Sequence, residues 1–152
     1  MNSVLVIDNH PVVLQGCRRV LEDAEIDDIR EANNLVTGYR VYRRHGPQVI
    51  ILDLAMQNGR LDGWALVSKI RSRDVKTAIL VFSMNNDPLV VAQALEVGAT
   101  GYLLKDASPA ELTKALEVVR SGKRYLARDF AVEVGLSHHR KHPLYALTSR
   151  EL

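Results

Sequence analysis

The chain has 152 residues, 47% of them hydrophobic, 25% charged and 5% aromatic, with a formal net charge of +2. This apolar fraction excludes a disordered chain, the 9 Gly and 5 Pro follow no collagen-like period, and no run approaches the ~20 apolar residues that span a bilayer. Cys17 is the single cysteine, which excludes a disulfide framework or a thiolate metal cluster. Met1-Asn2-Ser3 leads straight into apolar residues without the basic start of a signal peptide, so a cytoplasmic location is expected.

Ser3–Asp8 (SVLVID) is an aliphatic strand ending on an acid. Val12–Asp23 places Val13, Cys17, Val20 and Leu21 at helical intervals. Asp28–Glu31 is a weak strand, and a helical stretch from Asn33 to about His45 is closed by Gly46-Pro47. Gln48–Leu54 (QVIILDL) is the strongest strand, apolar on both faces as a buried parallel strand is. Trp64–Arg71 is helical, Thr77–Phe82 is a second buried strand, and Pro88–Val97 is a helix stopped at Gly98. Thr100–Leu104 is a strand, and Ser108–Ser121 is a helix with Ser108 as N-cap and Pro109 in its first turn.

Five strands alternating with five helices predict an α/β fold: a doubly wound, five-stranded parallel sheet covered on both faces. Ligands of such sheets sit beyond the C-terminal ends of the strands. The residues to weigh are therefore Asp8, Asn9, Asp53, Ser83 and Lys105. Singly, each has an ordinary explanation: Asp8 and Asn9 as helix caps, Ser83 as a loop hydroxyl, Lys105 as a surface cation. Asp53 is harder to dismiss, because an ionised carboxylate after Val49-Ile50-Ile51-Leu52 is costly unless it reaches a partner. Together they suit phosphoryl chemistry. Asp8, Asp53 and a backbone carbonyl suit a hard cation such as Mg²⁺, and Asp53 is a possible covalent acceptor whose phosphoryl oxygens Ser83 and Lys105 would bind. Asp53 and Lys105 are expected to end neighbouring strands, within salt-bridge distance of each other.

The segments Val6-Ile7-Asp8-Asn9-His10-Pro11, Ile51-Leu52-Asp53-Leu54, Leu80-Val81-Phe82-Ser83-Met84 and Gly98-Ala99-Thr100-Gly101-Tyr102-Leu103-Leu104-Lys105-Asp106 resemble the receiver domain of bacterial two-component response regulators, of the NarL/FixJ type, over about residues 3–121. The resemblance implies a flavodoxin-like (βα)5 fold and a switch rather than an enzyme. It makes Asp53 the phosphoacceptor, Ser83 and Lys105 its catalytic partners, and Ser83 and Tyr102 the switch pair that moves inward. It implies Mg²⁺ held by Asp8, Asp53, the residue at Asn9 and the Ala55 carbonyl. A sensor histidine kinase is the implied donor, with a homodimer possible on phosphorylation and no membrane partner. An aspartyl phosphatase is disfavoured by Ala55, where such enzymes place a second acid.

Two positions depart from the family pattern. Asn9 stands where a second acid is usual, and the ten positions from Asp53 to Gly63, with Gln57 in place of a common proline, make a long loop. An atypical receiver that binds partners without phosphorylation is the alternative these departures leave.

Charge shifts along the chain. Residues 1–121 hold 14 Lys/Arg against 15 Asp/Glu, whereas residues 122–152 hold 6 against 3, together with His138, His139 and His142. A receiver domain at 1–121 and a basic linker at 122–147 are expected, with no metal site at the histidines, which no Cys or carboxylate accompanies. Leu147-Thr148-Ser149-Arg150-Glu151-Leu152 reads as a capping box with Thr148 at N-cap, and it resembles the opening of a LuxR-type helix-turn-helix domain from 148 onward. Most of that domain is expected to be missing from this chain. Control of transcription would act through it, and residues 1–152 alone should bind DNA only weakly and without sequence preference, through residues 122–152.

Overall fold

The computed structural model describes residues 2–56 and 62–127. The elements follow in strict alternation: β1 (Ser3–Ile7), α1 (Pro11–Asp23), β2 (Asp28–Ala32), α2 (Leu35–His45), β3 (Val49–Leu52), α3 (Gly63–Arg71), β4 (Ala78–Ser83), α4 (Pro88–Val97), β5 (Gly101–Leu104) and α5 (Pro109–Arg120). All strand pairs are parallel, in the order β2-β1-β3-β4-β5. The doubly wound architecture expected from the sequence is the one observed.

The apolar runs explain the layering. Every residue of β1, β3 and β4 is buried, so each strand must be covered on both sides. Val4, Val6, Val49, Ile51 and Leu80 meet α1 and α5 through Cys17, Leu21, Leu112, Ala115 and Leu116. Leu5, Ile7, Ile50, Leu52 and Ile79 turn to the other face and meet α2 and α3 through Tyr42, Leu66, Val67 and Ile70. Helix α4 completes that second face with Val91, Ala92 and Ala94 against Val81 and Tyr102. Burial in this core pushes the Cys17 thiol up to about 12, so it stays protonated and inert.

Element ends are fixed by local chemistry. Asn34 caps α2 by accepting from the Thr37 amide at 2.8 Å, and Gly46, at φ 55°, closes it with its amide on the Tyr42 carbonyl. Ser108 accepts from the Glu111 amide at 3.2 Å, as its sequence position predicts. Strands β1 and β3 stop before Asp8 and Asp53, one and two residues earlier than their apolar patterns suggest. Strand β4 runs one residue further, because Ser83 still pairs with Leu104. The packed chain also continues beyond 121: Tyr125 is buried and bridges to Gly101, with its carbonyl accepting from the Tyr102 amide at 3.1 Å. The capping box at 148–151 and the histidines at 138–142 lie outside the described residues.

Asp74 ties α3 to the start of β4. Its carboxylate accepts from Tyr42 Oη at 2.7 Å, from Thr77 Oγ1 at 2.5 Å, and from the amides of Lys76 and Thr77. Burial acts to raise its pKa, but these hydrogen bonds outweigh burial and hold it well below the ordinary value of 3.8. A depressed folded value means this stabilisation is present above the ordinary value and is lost as pH falls below it. Asp74→Ala should cost about 2 kcal/mol at pH 7 in urea unfolding, a deficit that narrows on acidification below about pH 4.

Candidate functional site

Register brings the acids together. Ile7 pairs with Leu52, so the next residues, Asp8 and Asp53, leave adjacent strands side by side at the C-terminal edge. The Asp53 amide donates to the Ile7 carbonyl at 3.0 Å and the Asp8 amide to the Ala32 carbonyl at 3.0 Å, which fixes both backbones. The two side chains are 2% and 4% exposed. Lys105 follows β5, which is separated from β3 by β4, so the expectation of neighbouring strands is corrected. Its long side chain crosses the end of β4 instead, guided by the Lys105 amide on the Ser83 carbonyl at 2.9 Å. The ammonium then reaches both acids, at 2.7 Å from Asp8 Oδ2 and 3.1 Å from Asp53 Oδ2.

One ammonium faces two buried carboxylates, which leaves the cluster with one negative charge in excess. Burial pushes the Asp53 carboxyl above its ordinary value, Lys105 pulls it back, and the neighbouring Asp8 charge raises it again. Asp53 Oδ1 also accepts from the Ala55 amide at 3.2 Å.

Around this centre the rim is defined by short contacts. His10 lies across Asp8, with its amide and its Nδ1 each 2.9 Å from Asp8 Oδ1, and the ring itself is exposed. Asn9 is exposed and its Nδ2 donates to the Met56 carbonyl, joining the loop after β1 to the loop after β3. Ser83 is buried and its Oγ accepts from the Asn85 amide at 3.1 Å. Tyr102 is 1% exposed, its hydroxyl donates to the Asn85 carbonyl at 2.7 Å, and burial pushes that hydroxyl up to about 12. The ring expected to move inward on switching is therefore already inside.

Three contributors were not legible beforehand. His10 joins Asp8 and Asp53 with ligand atoms within 4.8 Å of one another, and its only signal was its place two residues after Asp8. Met56 and Asn85 act through backbone atoms, which their residue types do not advertise.

The donor set fits a hard divalent cation: two carboxylates with excess negative charge, beside an amide side chain and loop carbonyls, at an edge open to water. Among the described residues, no helix is long and apolar enough to cross a membrane.

Residues 4–117 match the response regulator receiver domain family, and the chain belongs to it. Within that family the likeness is to LuxR-family regulators. The nitrate/nitrite response regulator protein NarL of Escherichia coli (strain K12) is 35% identical over 126 residues, covering 82% of this chain and 57% of NarL. A LuxR-family two-component response regulator from Aurantimonas sp. SI85-9A1 superposes with a TM-score of 0.81 at 31% identity, covering 91% of this chain and 98% of that one. RcsB from Salmonella enterica serovar Typhimurium, bound to promoter P1flhDC in the presence of phosphomimetic BeF3-, gives 0.77 at 28% identity, over 88% of this chain and 66% of that one. The chain thus spans little more than half the length of NarL.

Proposed function

We propose that this receiver accepts a phosphoryl group from a histidine kinase on Asp53 and, in a longer protein, controls transcription through a C-terminal DNA-binding domain. The observation that carries it is the buried Asp8–Lys105–Asp53 cluster at the end of the central strands. An Asp53 carboxylate oxygen forms a bond to phosphorus as the bond from phosphorus to the kinase imidazole nitrogen breaks, and that nitrogen keeps the electron pair. Lys105 and Ser83 stand where the phosphoryl oxygens arrive, and they offset charge that Asp53 alone cannot spread. Mg²⁺ would be held by Asp8, Asp53, the Asn9 amide oxygen and the Ala55 carbonyl, and it supplies positive charge against the transferring group.

Tyr102 and Ser83 form the switch pair. Their shared contact is the Asn85 backbone, so a phosphoryl group competing for Ser83 Oγ would shift the loop between β4 and α4 while the ring stays buried. RcsB, at a promoter with a phosphomimetic, is the relative that supports the transcriptional half of this reading. A homodimer on phosphorylation and a cytoplasmic phosphorelay complete it.

Incubation with acetyl phosphate and Mg²⁺ followed by intact mass should show one phosphoryl addition, absent in Asp53→Asn. Labelling that survives this substitution would sink the assignment. A second expectation concerns the missing acid. Asn9→Asp should tighten Mg²⁺ roughly tenfold, about 1.4 kcal/mol, because hard-cation affinity follows ligand charge. It should also lower the melting temperature in chelator by crowding a third carboxylate against Asp8 and Asp53. Equal Mg²⁺ affinities would remove Asn9 from the ligand set.

A further inference from the structure

The outer face of α2 and α3 concentrates positive charge without compensation. Neither helix contains an Asp or Glu, while Arg40, Arg43, Arg44, Lys69 and Arg73 are all exposed on or just after them. Among the described residues none of the five is ion-paired. The acids of the flanking segments are engaged elsewhere: Asp62 by the Met56 amide, Asp74 by Tyr42 and Thr77, Glu31 by Arg18, and Asp28 by Arg30. Tyr39 sits at the centre, with the Lys69 ammonium 4.2 Å and the Arg43 guanidinium carbon 6.0 Å from its ring centroid. Its hydroxyl is held below its ordinary value, first by a hydrogen bond from Arg43 and further by the charges of Arg73 and Lys69. Residues 1–121 as a whole are close to neutral, so this is a local separation of charge and not a general basicity.

We infer that this α2–α3 face is a sequence-independent docking surface for the phosphate backbone of duplex DNA. Four of the five cations are arginines, whose planar forks match phosphate oxygens in pairs. Arg40 and Arg44 are one helical turn apart, a rise of ~6 Å, against a duplex that offers one negative charge per ~1.7 Å of axis. On its α2 side the face carries a shallow, open depression of about 530 Å³ lined by Val36, Tyr39, Arg40, Arg43 and Arg44. Val36 is the one strongly exposed aliphatic side chain in that lining, short of the cluster of apolar anchors that carries protein–protein affinity. A lipid surface is disfavoured as well, because the apolar side of α2 is spent on the core through Gly38 and Tyr42. The inference rests on the proposed role at a promoter, where tethering to a DNA-binding domain would raise the local concentration of duplex. Its effect would be to add affinity and orient the receiver, not to read bases.

The test uses the whole 152-residue chain and a fluorescent duplex of arbitrary sequence, with anisotropy followed across salt. Arg40→Gln/Arg43→Gln/Arg44→Gln should weaken binding at least tenfold at low salt. It should also make the slope of log K against log salt shallower by about two to three, as loss of phosphate contacts demands. Arg140→Gln/Lys141→Gln/Arg150→Gln removes the same charge from the basic end of the chain and should have the smaller effect, in contrast to the expectation from net charge that residues 122–152 carry the DNA contact. A larger effect there, an unaltered slope for the α2 variant, or no binding by the wild type at 50 mM salt would overturn the proposal. So would displacement of the duplex by polyglutamate of equal charge at equal concentration, which would indicate an acidic protein partner. Glutamine keeps helix propensity, so the melting temperature should hold. Acetyl phosphate labelling of the α2 variant, read by intact mass, should be unchanged, which separates failure of this inference from failure of the phosphorylation reading.

Discussion

Lys105→Ala should destabilise the protein by about 3–5 kcal/mol at neutral pH, the largest effect of any single substitution outside the apolar core. The Lys105 side chain is 7% exposed and its ammonium is the shared partner of Asp8 and Asp53, so its removal leaves two buried carboxylates facing each other without a cation. The pH dependence follows from the direction of the Asp53 shift. Burial already raises its folded value above 3.8, and loss of Lys105 raises it further. A raised acid binds its proton more tightly in the folded state, so stability is fully present below the ordinary value and is lost as pH rises through the folded value. The deficit relative to wild type should therefore shrink between pH 7 and pH 5 in urea titrations. A deficit equal at both values would mean the ammonium contributes packing and not charge. Phosphoryl addition should remain detectable by mass, because the nucleophile is untouched, while the conformational response to it is lost.

Gly63→Ala should be the second large effect, about 1–3 kcal/mol of stability together with slower acetyl phosphate labelling. A Cβ at Gly63 would meet the Leu54 Cα at 2.8 Å, the Asp53 carbonyl at 2.9 Å and the Leu54 carbonyl at 3.0 Å. These are backbone atoms in a segment pinned by the Gly63 amide on the Leu54 carbonyl at 2.9 Å, so they cannot step aside as a side-chain tip would. Relief requires α3 to back away from the end of β3, which carries Asp53 with it. By contrast, a Cβ at Gly38 would meet only the end and stem of the Ile7 side chain, the nearest atom at 2.6 Å, and Gly38→Ala should alter stability without altering labelling. Equal labelling rates for the two variants would show that the Gly63 contact does not position the acceptor.

Much of this was legible because burial writes itself into composition. Strands β1, β3 and β4 are apolar at consecutive positions, and that pattern has no good alternative to a sheet covered on both sides. Asp53 stood out for the same reason, as a charge that interrupts such a run. Strand β2 was fainter because Arg30 and Glu31 face water at the sheet edge, and period gives little purchase there. Strand order is not a local property. Lys105 was expected beside Asp53 as a neighbour, whereas it arrives from one strand further and depends on the reach of its own side chain. Asn9 could be recognised as a missing charge, but its bond to the Met56 carbonyl depends on how two loops meet. Tyr125 falls inside the linker expected at 122–147, because nothing in Lys123-Arg124-Tyr125 signals a rung added to the edge of β5.

That added rung bears on how the open edges of the sheet are protected. An open parallel sheet has two margins, each a row of unpaired amides and carbonyls that invites another chain. At β2 the margin is guarded by charge, with Arg30 paired to Asp28 and Glu31 paired to Arg18. At β5 the strand itself is Gly101-Tyr102-Leu103-Leu104, with no charge to repel a second strand, and the guard is Tyr125 covering Gly101. The two margins are thus protected by different means, one by its own residues and the other by chain that comes after α5. Cutting at residue 121 would strip that cover from Gly101 and take the buried Tyr125 ring out of the core, so a fragment that resists edge-to-edge pairing should include Tyr125.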